Sequence, residues 1–417
     1  MISATSEKSS PKREPGARKS VDGSRLVVLE PNLSTFDTRT RNELRSHIEW
    51  GPMDHAQPGR QSLEQAVSLV AATTRAVTPR RVETAAALHR VAAADIEAPA
   101  AIPPFHQALD DGWAIKADDT LGASPYAPGI SSTVPRRVSI GETLPDFADA
   151  VLPLPKASDQ SGAFEIWGAI ARGEGMRAAG NDLRRGEIIA TAGTRLDERH
   201  IALLKIAEIS DALVRIPRVM IVGAGVVGDW LADLAKQEGA DCAMIDTAAR
   251  ADPLEMADII LVVDPSEWRD RAQRQERTLF SCIAMRPGEM TGCAVRESPG
   301  APHSSETATI FVGARLESAL AAWLLLIRPC LRRLAGATSR DGTASLPSTR
   351  KIVSAPGVSE LTLLRRLDGE AKTGARWEPL ATGDIPYSAI ANADAWLLVD
   401  AQSEGFAAGE IVTGQFL

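Results

Sequence analysis

The chain has 417 residues, 44% of them hydrophobic and 24% charged, with a formal net charge of -8. That length exceeds one ordinary hydrophobic core and calls for two to four domains. The acidic balance leaves no surplus of cations for a phosphate backbone, which excludes a general nucleic-acid binder.

Residues 1–60 are polar, with Lys8, Lys12, Arg13, Arg18 and Lys19 close together. They read as a solvated extension rather than a domain, with a short ordered piece around 25–29. The amino-terminal stretch has no apolar signal core, and a cytoplasmic chain is the expectation. Order is expected from Ser62, which forms an S-x-x-Q capping box with Gln65 and is followed by Leu63, Val67, Val70 and Thr74 on one helical face. Pro79 ends that helix, a second helix is predicted over about 82–94, and Pro99, Pro103 and Pro104 then demand extended chain. From 113 to 189 short β-prone pieces, among them 134–140, 163–169 and 187–190, alternate with Gly and Pro. They predict a small β-rich domain inserted between helical segments. Asp197 is placed to cap a helix carrying Ile201, Leu204 and Ala207.

Pro217 marks a boundary, after which the texture becomes α/β. Strands are predicted at 219–222, 242–245 and 259–263 and a helix at 229–238, the alternation that builds a parallel sheet. The apolar run 319–327 is nine residues long. It is too short to span a bilayer and reads as part of a buried helix over 318–334. Residues 336–348 look like a linker and 351–417 like a small β-barrel or sandwich. The cysteines, Cys242, Cys282, Cys293 and Cys330, contain no C-x-x-C pair, so neither a disulfide scaffold nor a zinc site is expected.

Two motifs bear on chemistry. Gly223-Ala224-Gly225-Val226-Val227-Gly228 matches G-x-G-x-x-G between a predicted strand and a predicted helix, with Asp246 at the end of the next strand. That is the context of a dinucleotide fingerprint, and it raises a nucleotide-binding regulator as one function. The second is the segment Pro103-Pro104-Phe105-His106-Gln107-Ala108-Leu109-Asp110-Asp111-Gly112-Trp113-Ala114-Ile115. It resembles the Pro-Pro-Phe-Asp-Asn-Ser-Ala-Met-Asp-Gly-Tyr-Ala-Val signature of the MoeA/gephyrin family, which inserts molybdenum into molybdopterin. Collinear pieces extend the resemblance from Ser62 to Leu417. They include 140–151 (IGETLPDFADAV), 186–196 (GEIIATAGTRL), Arg286-Pro287-Gly288 and the helix around Ile327-Arg328-Pro329.

The resemblance implies an elongated α/β plus β architecture. Residues 61–216 would form a helical and extended region with the inserted β-rich domain, 217–336 a MogA-like α/β domain with a parallel sheet, and 345–417 a C-terminal β-barrel. It implies a homodimer acting on adenylated molybdopterin and molybdate with Mg²⁺, and a molybdoenzyme or MogA-like protein as a further partner. Asp149 and Asp182 would hold the metal, with Asp111 and His106 beside them in the catalytic set. Arg286, Gly288, Gly225 and Ser318 would bind the cofactor. Because Gly223–Gly228 falls where the family has its own strand–turn–helix, the resemblance weighs against NAD(P).

The chain also departs from the family pattern. His106 replaces the signature Asp and Asn181 the Glu of G-E-D. Ala224-Gly225-Val226-Val227-Gly228 replaces T-G-D-E-L, Asp264-Pro265-Ser266-Glu267-Trp268 a glycine-rich anion loop, and Glu289 the second cation of K-P-G-K-P. Residues 311–316 (FVGARL) replace G-L-P-G-N-P. These changes imply reduced or altered chemistry, or a non-catalytic paralogue that binds the cofactor or a partner. His106 could serve as general base or metal ligand, or simply fill a vacated carboxylate position. Arg177, Arg184 and Arg185 beside Asp182 form either a solvated face or an anion site.

Overall fold

Five consecutive apolar residues with no room for a polar one form the strand Ile259–Val263, buried from end to end. A strand so uniform belongs in the middle of a sheet covered on both faces, and the computed structural model puts it there. Residues 60–160, 163–223, 225–245, 257–263, 276–297, 306–338, 341–369 and 374–417 are described. The extension 1–59, with its expected ordered piece at 25–29, lies outside them, as do Ala224, Asp246 and Asp264–Trp268.

The α/β sheet runs Asp241–Ile245, Arg218–Val222, Ile259–Val263, Glu306–Val312, Gly292–Glu297, Arg277–Phe280. The first four strands are parallel, Gly292–Glu297 runs antiparallel to them, and Arg277–Phe280 pairs antiparallel with Gly292–Glu297. Helix Val226–Gln237 connects the first two in sequence and buries Val227, Leu231, Ala232 and Ala235 against the sheet. The chain leaves Arg218–Val222 toward one neighbour and later returns to its other side. A ligand crevice is expected beyond the carboxyl ends at that reversal.

The predicted 318–334 helix exists in three pieces, Leu316–Ala322, a π-helical turn Trp323–Ile327 and Arg328–Ala335, ending on left-handed Gly336. Its buried residues join one continuous core with Leu63, Ala66 and Val70 of helix Leu63–Thr73 and with the α/β sheet. That first helix carries the capping box read from Ser62 and Gln65. At its far end the long helix is tied down by charge. Arg332 reaches Glu238 at 2.9 Å and Asp341 at 2.7 Å, and Arg328 reaches Asp341 at 2.9 Å.

Two expectations are corrected. Residues 82–94 are not a helix: strand Arg80–Glu83, a 3₁₀ turn Thr84–Ala87 and strand Val91–Ala92 occupy the stretch. Both strands pair with Asp211–Arg215, and sheet pairing overrides the helical propensity of the Ala-rich sequence. Within the expected linker, Thr343–Pro347 is a strand paired with Ile411–Phe416. The sheet it enters is seven-stranded among the described residues. It runs Arg60–Ser62, Cys282–Arg286, Ser359–Leu367, Ala395–Val399, Ile411–Phe416, Thr343–Pro347, with Arg376–Thr382 on the other flank of Ser359–Leu367. The first two of these strands come from far earlier in the chain.

Candidate functional site

The signature segment is braced by two later stretches. Gln107–Ala108 pairs antiparallel with Met176–Arg177, and Leu144 N–H donates to His106 O at 2.8 Å. Gly180 N–H donates to Pro103 O and Asp182 N–H to Ile102 O, both at 2.9 Å. Strand Gly112–Ile115 continues the segment as the centre of a small sheet between Arg136–Val138 and Ala150–Pro153. Gly112 is required there, since a Cβ would lie 2.5 Å from Leu152 O.

His106 is exposed, and its Nδ1 accepts the Ala179 N–H at 3.1 Å. A neutral imidazole that accepts through Nδ1 carries its proton on Nε2, so this residue does a backbone-holding job, and only Nε2 remains to meet a ligand. Asp111 is exposed, and its carboxylate accepts the Ile140 N–H at 2.8 Å. Asp149 lies level with the other end of strand Gly112–Ile115, its N–H on Ile115 O. Five residues at about 3.3 Å each separate the two carboxylate positions by about 16 Å along the strand.

Asp149 accepts the Ala117 N–H at 2.7 Å and the Arg172 guanidinium at 2.7 Å. Burial alone would raise its pKa, but those two donors outweigh it and hold the carboxyl below its ordinary value. Asp182 pairs with Arg177 at 2.8 Å. The structure therefore does not gather Asp149 and Asp182 into one metal site within a chain. They stand at opposite ends of the stretch 173–183, Gly173 N–H reaching Asp149 O and Asp182 reaching Ile102. Among the described residues no three His, Cys, Asp or Glu side chains come together as metal ligands.

The second group of expected residues lies later in the chain, at turns of the α/β region and the strand that follows it. Gly225 is the N-cap of helix Val226–Gln237 at φ 118°, with no side-chain cap, and a Cβ there would meet open space. Gly223 and Gly228 have structural reasons to be glycine. A Cβ on the first would lie 2.7 Å from Val263 O and on the second 2.9 Å from Gly223 O. Gly288, at φ 103°, packs close to Ser318, whose carbonyl oxygen would be 3.5 Å from a Cβ on it. Ser318 itself is half-buried. So Gly288 and Ser318 are neighbours. Arg286 follows at the end of strand Cys282–Arg286 but turns to carboxylates, Glu289 at 3.1 Å and Glu360 at 3.6 Å. Arg315 is likewise paired with Glu317, a buried residue in the first turn of helix Leu316–Ala322.

Sequence reasoning missed the partners rather than the positions. Arg172 carried no signal of its own, and neither did Glu360 or the Ala179 N–H. Only Arg177 stood out, as part of a basic cluster.

Residues 61–207 match the family model described as MoeA N-terminal region (domain I and II). A molybdopterin molybdenumtransferase 1 of Mycobacterium tuberculosis is 24% identical, over 86% of this chain and 99% of that protein. A putative molybdopterin biosynthesis protein of Methanocaldococcus jannaschii is 28% identical over 30% of this chain and 34% of its own length. Among solved structures, a molybdopterin biosynthesis moeA protein from Pyrococcus horikoshii superposes with a TM-score of 0.65 at 20% identity. The match covers 86% of this chain and 100% of that one. At that identity the likeness speaks to the fold.

Proposed function

Because this chain is a member of the MoeA family, we propose that it works in molybdenum cofactor biosynthesis as a molybdopterin molybdenumtransferase-like protein. It would transfer molybdate to adenylated molybdopterin, as a homodimer, at a rate below that of its relatives. What supports this most is that the family model covers the signature stretch itself, residues 61–207. That stretch is folded here as one braced strip with Asp111, Asp149 and Asp182 at its surface.

In this reading the Gly225 turn and the Gly288–Ser318 contact present backbone to the cofactor at the carboxyl end of the parallel sheet. The uncapped first turn of helix Val226–Gln237 has N–H donors for an anion there. Arg286 supplies a cation only after it exchanges Glu289 for the ligand's phosphate. The described residues of one chain do not fit a Mg²⁺ site, since no three carboxylate, imidazole or thiol groups among them converge. Asp149 and Asp182 each face an arginine, which would compete with any incoming cation for the carboxylate and would lower the rate.

The same pairs favour a second reading, a non-catalytic relative that binds the cofactor. Expression in a strain lacking its molybdenum insertase separates the two. Weak but measurable recovery of molybdoenzyme activity is expected, and none at all from soluble protein would overturn the transferase reading.

A further inference from the structure

Residues 180–187 wrap around the extended chain before the signature, with Gly180 N–H on Pro103 O at 2.9 Å and Gly186 N–H on Ala98 O at 2.8 Å. The turn borders an open polar hollow of about 460 Å³ lined by Gly180, Asn181, Asp182, Arg184, Arg185 and Glu187. Its negative charges are already engaged. Asp182 faces Arg177 at 2.8 Å, and the Glu187 carboxylate accepts the backbone N–H of Arg184 at 2.8 Å. The guanidinium groups of Arg184 and Arg185 have no ion-pair partner among the described residues. From 177 to 187 three arginines thus meet two carboxylates. Asn181 adds an amide donor without adding charge. The backbone donors of Gly180, Asn181, Asp182, Leu183, Arg184, Gly186 and Glu187 are spent inside the turn and on its neighbours. What the hollow offers a ligand is therefore side-chain N–H and positive charge.

We propose that this hollow is a binding site for a tetrahedral oxyanion, held between the guanidinium forks of Arg184 and Arg185 with the Asn181 amide as third donor. Guanidinium forks match pairs of oxygens on such an anion better than ammonium groups do. Arg184 and Arg185 are both exposed, so neither fork has to leave a protein partner to take the anion. The chemistry has two sources, a free oxyanion such as molybdate or a phosphate group of a larger ligand. The site does not depend on the transferase reading, because it is read by binding alone.

The full chain is titrated by calorimetry with sodium molybdate and, separately, with inorganic phosphate. The Arg184→Ala/Arg185→Ala double variant and, as a control for charge alone, Arg137→Ala are titrated alongside. Saturable binding of at least one anion at about 1 mM or tighter is expected. It should weaken at least tenfold in the double variant, stay unchanged in Arg137→Ala and weaken as salt rises. Tighter binding of molybdate assigns a free oxyanion, and tighter binding of phosphate assigns a ligand's phosphate group. Saturation by neither anion, or equal affinity in the double variant, overturns the site. Failure of complementation leaves this result untouched, and the reverse holds too.

Discussion

The α/β sheet and the signature strip hold themselves together in opposite ways. In the sheet, Ile221, Ile259, Leu261 and Ile310 are fully buried in one large core, and the stabilising term is area removed from water. In the strip from 98 to 190 the strands are two to four residues long, and its small cores centre on Ile115 with Leu152 and on Ala108 with Val151. Position there is set by single contacts, such as His106 to Ala179 N–H, Asp111 to Ile140 N–H and Asp149 to Arg172. A sheet of the first kind tolerates loss of a surface group and resists loss of volume. The strip should show the reverse, with small losses of stability and local losses of geometry.

That contrast can be broken in graded steps. The largest effect is expected for Leu261→Ala, which empties a fully buried position and should cost about 2–5 kcal/mol in urea denaturation. A cost below that of a surface change would show that the sheet is not held by packing. Next comes Asp197→Ala, at the border of the strip. Asp197 caps helix Glu198–Ile206 by accepting from Arg199 N–H and His200 N–H, and its loss should cost about 1 kcal/mol. The smallest effect belongs to Asp149→Asn, and it should depend on pH. Because the folded carboxyl titrates below its ordinary value, its contribution is complete above about pH 4, the ordinary range of an aspartate. It disappears as pH falls through the lowered folded value. Thermal midpoints of wild type and variant should therefore differ at pH 7 and converge on acidification. A gap that widens toward acid would reverse the assigned sign.

The same division decided what could be read in advance. The strands at 219–222 and 259–263 were legible because uninterrupted apolar runs between turn residues have few other solutions. The capping residues Ser62 and Asp197 were legible because their partners lie within three positions. Residues 82–94 were not, since what makes Arg80–Glu83 a strand is Asp211–Arg215, remote in sequence. At the site, the signature fixed where Asp111 and His106 would lie. It held no trace of Arg172 or of the Ala179 N–H, because a side chain meeting a remote donor leaves no periodic mark. Glu289 was visible as a charge change, but its pairing with Arg286 needed the turn at Gly288 to bring it back.

The seven-stranded sheet has a consequence for how the chain is made. Arg60 stands opposite Cys282, and Met285 opposite Ser359, so the sheet is sewn from the beginning, middle and end of the folded sequence. A ribosome releasing this chain from its amino end holds Arg60–Ser62 unpaired until Cys282–Arg286 emerges, and leaves Cys282–Arg286 with one open edge until Ser359–Leu367 follows. Such long-range pairings pay their loop-closure cost before any contact repays it, and they fold slowly. The nascent protein therefore spends its synthesis with open strand edges, the form most prone to wrong pairing and most in need of a chaperone.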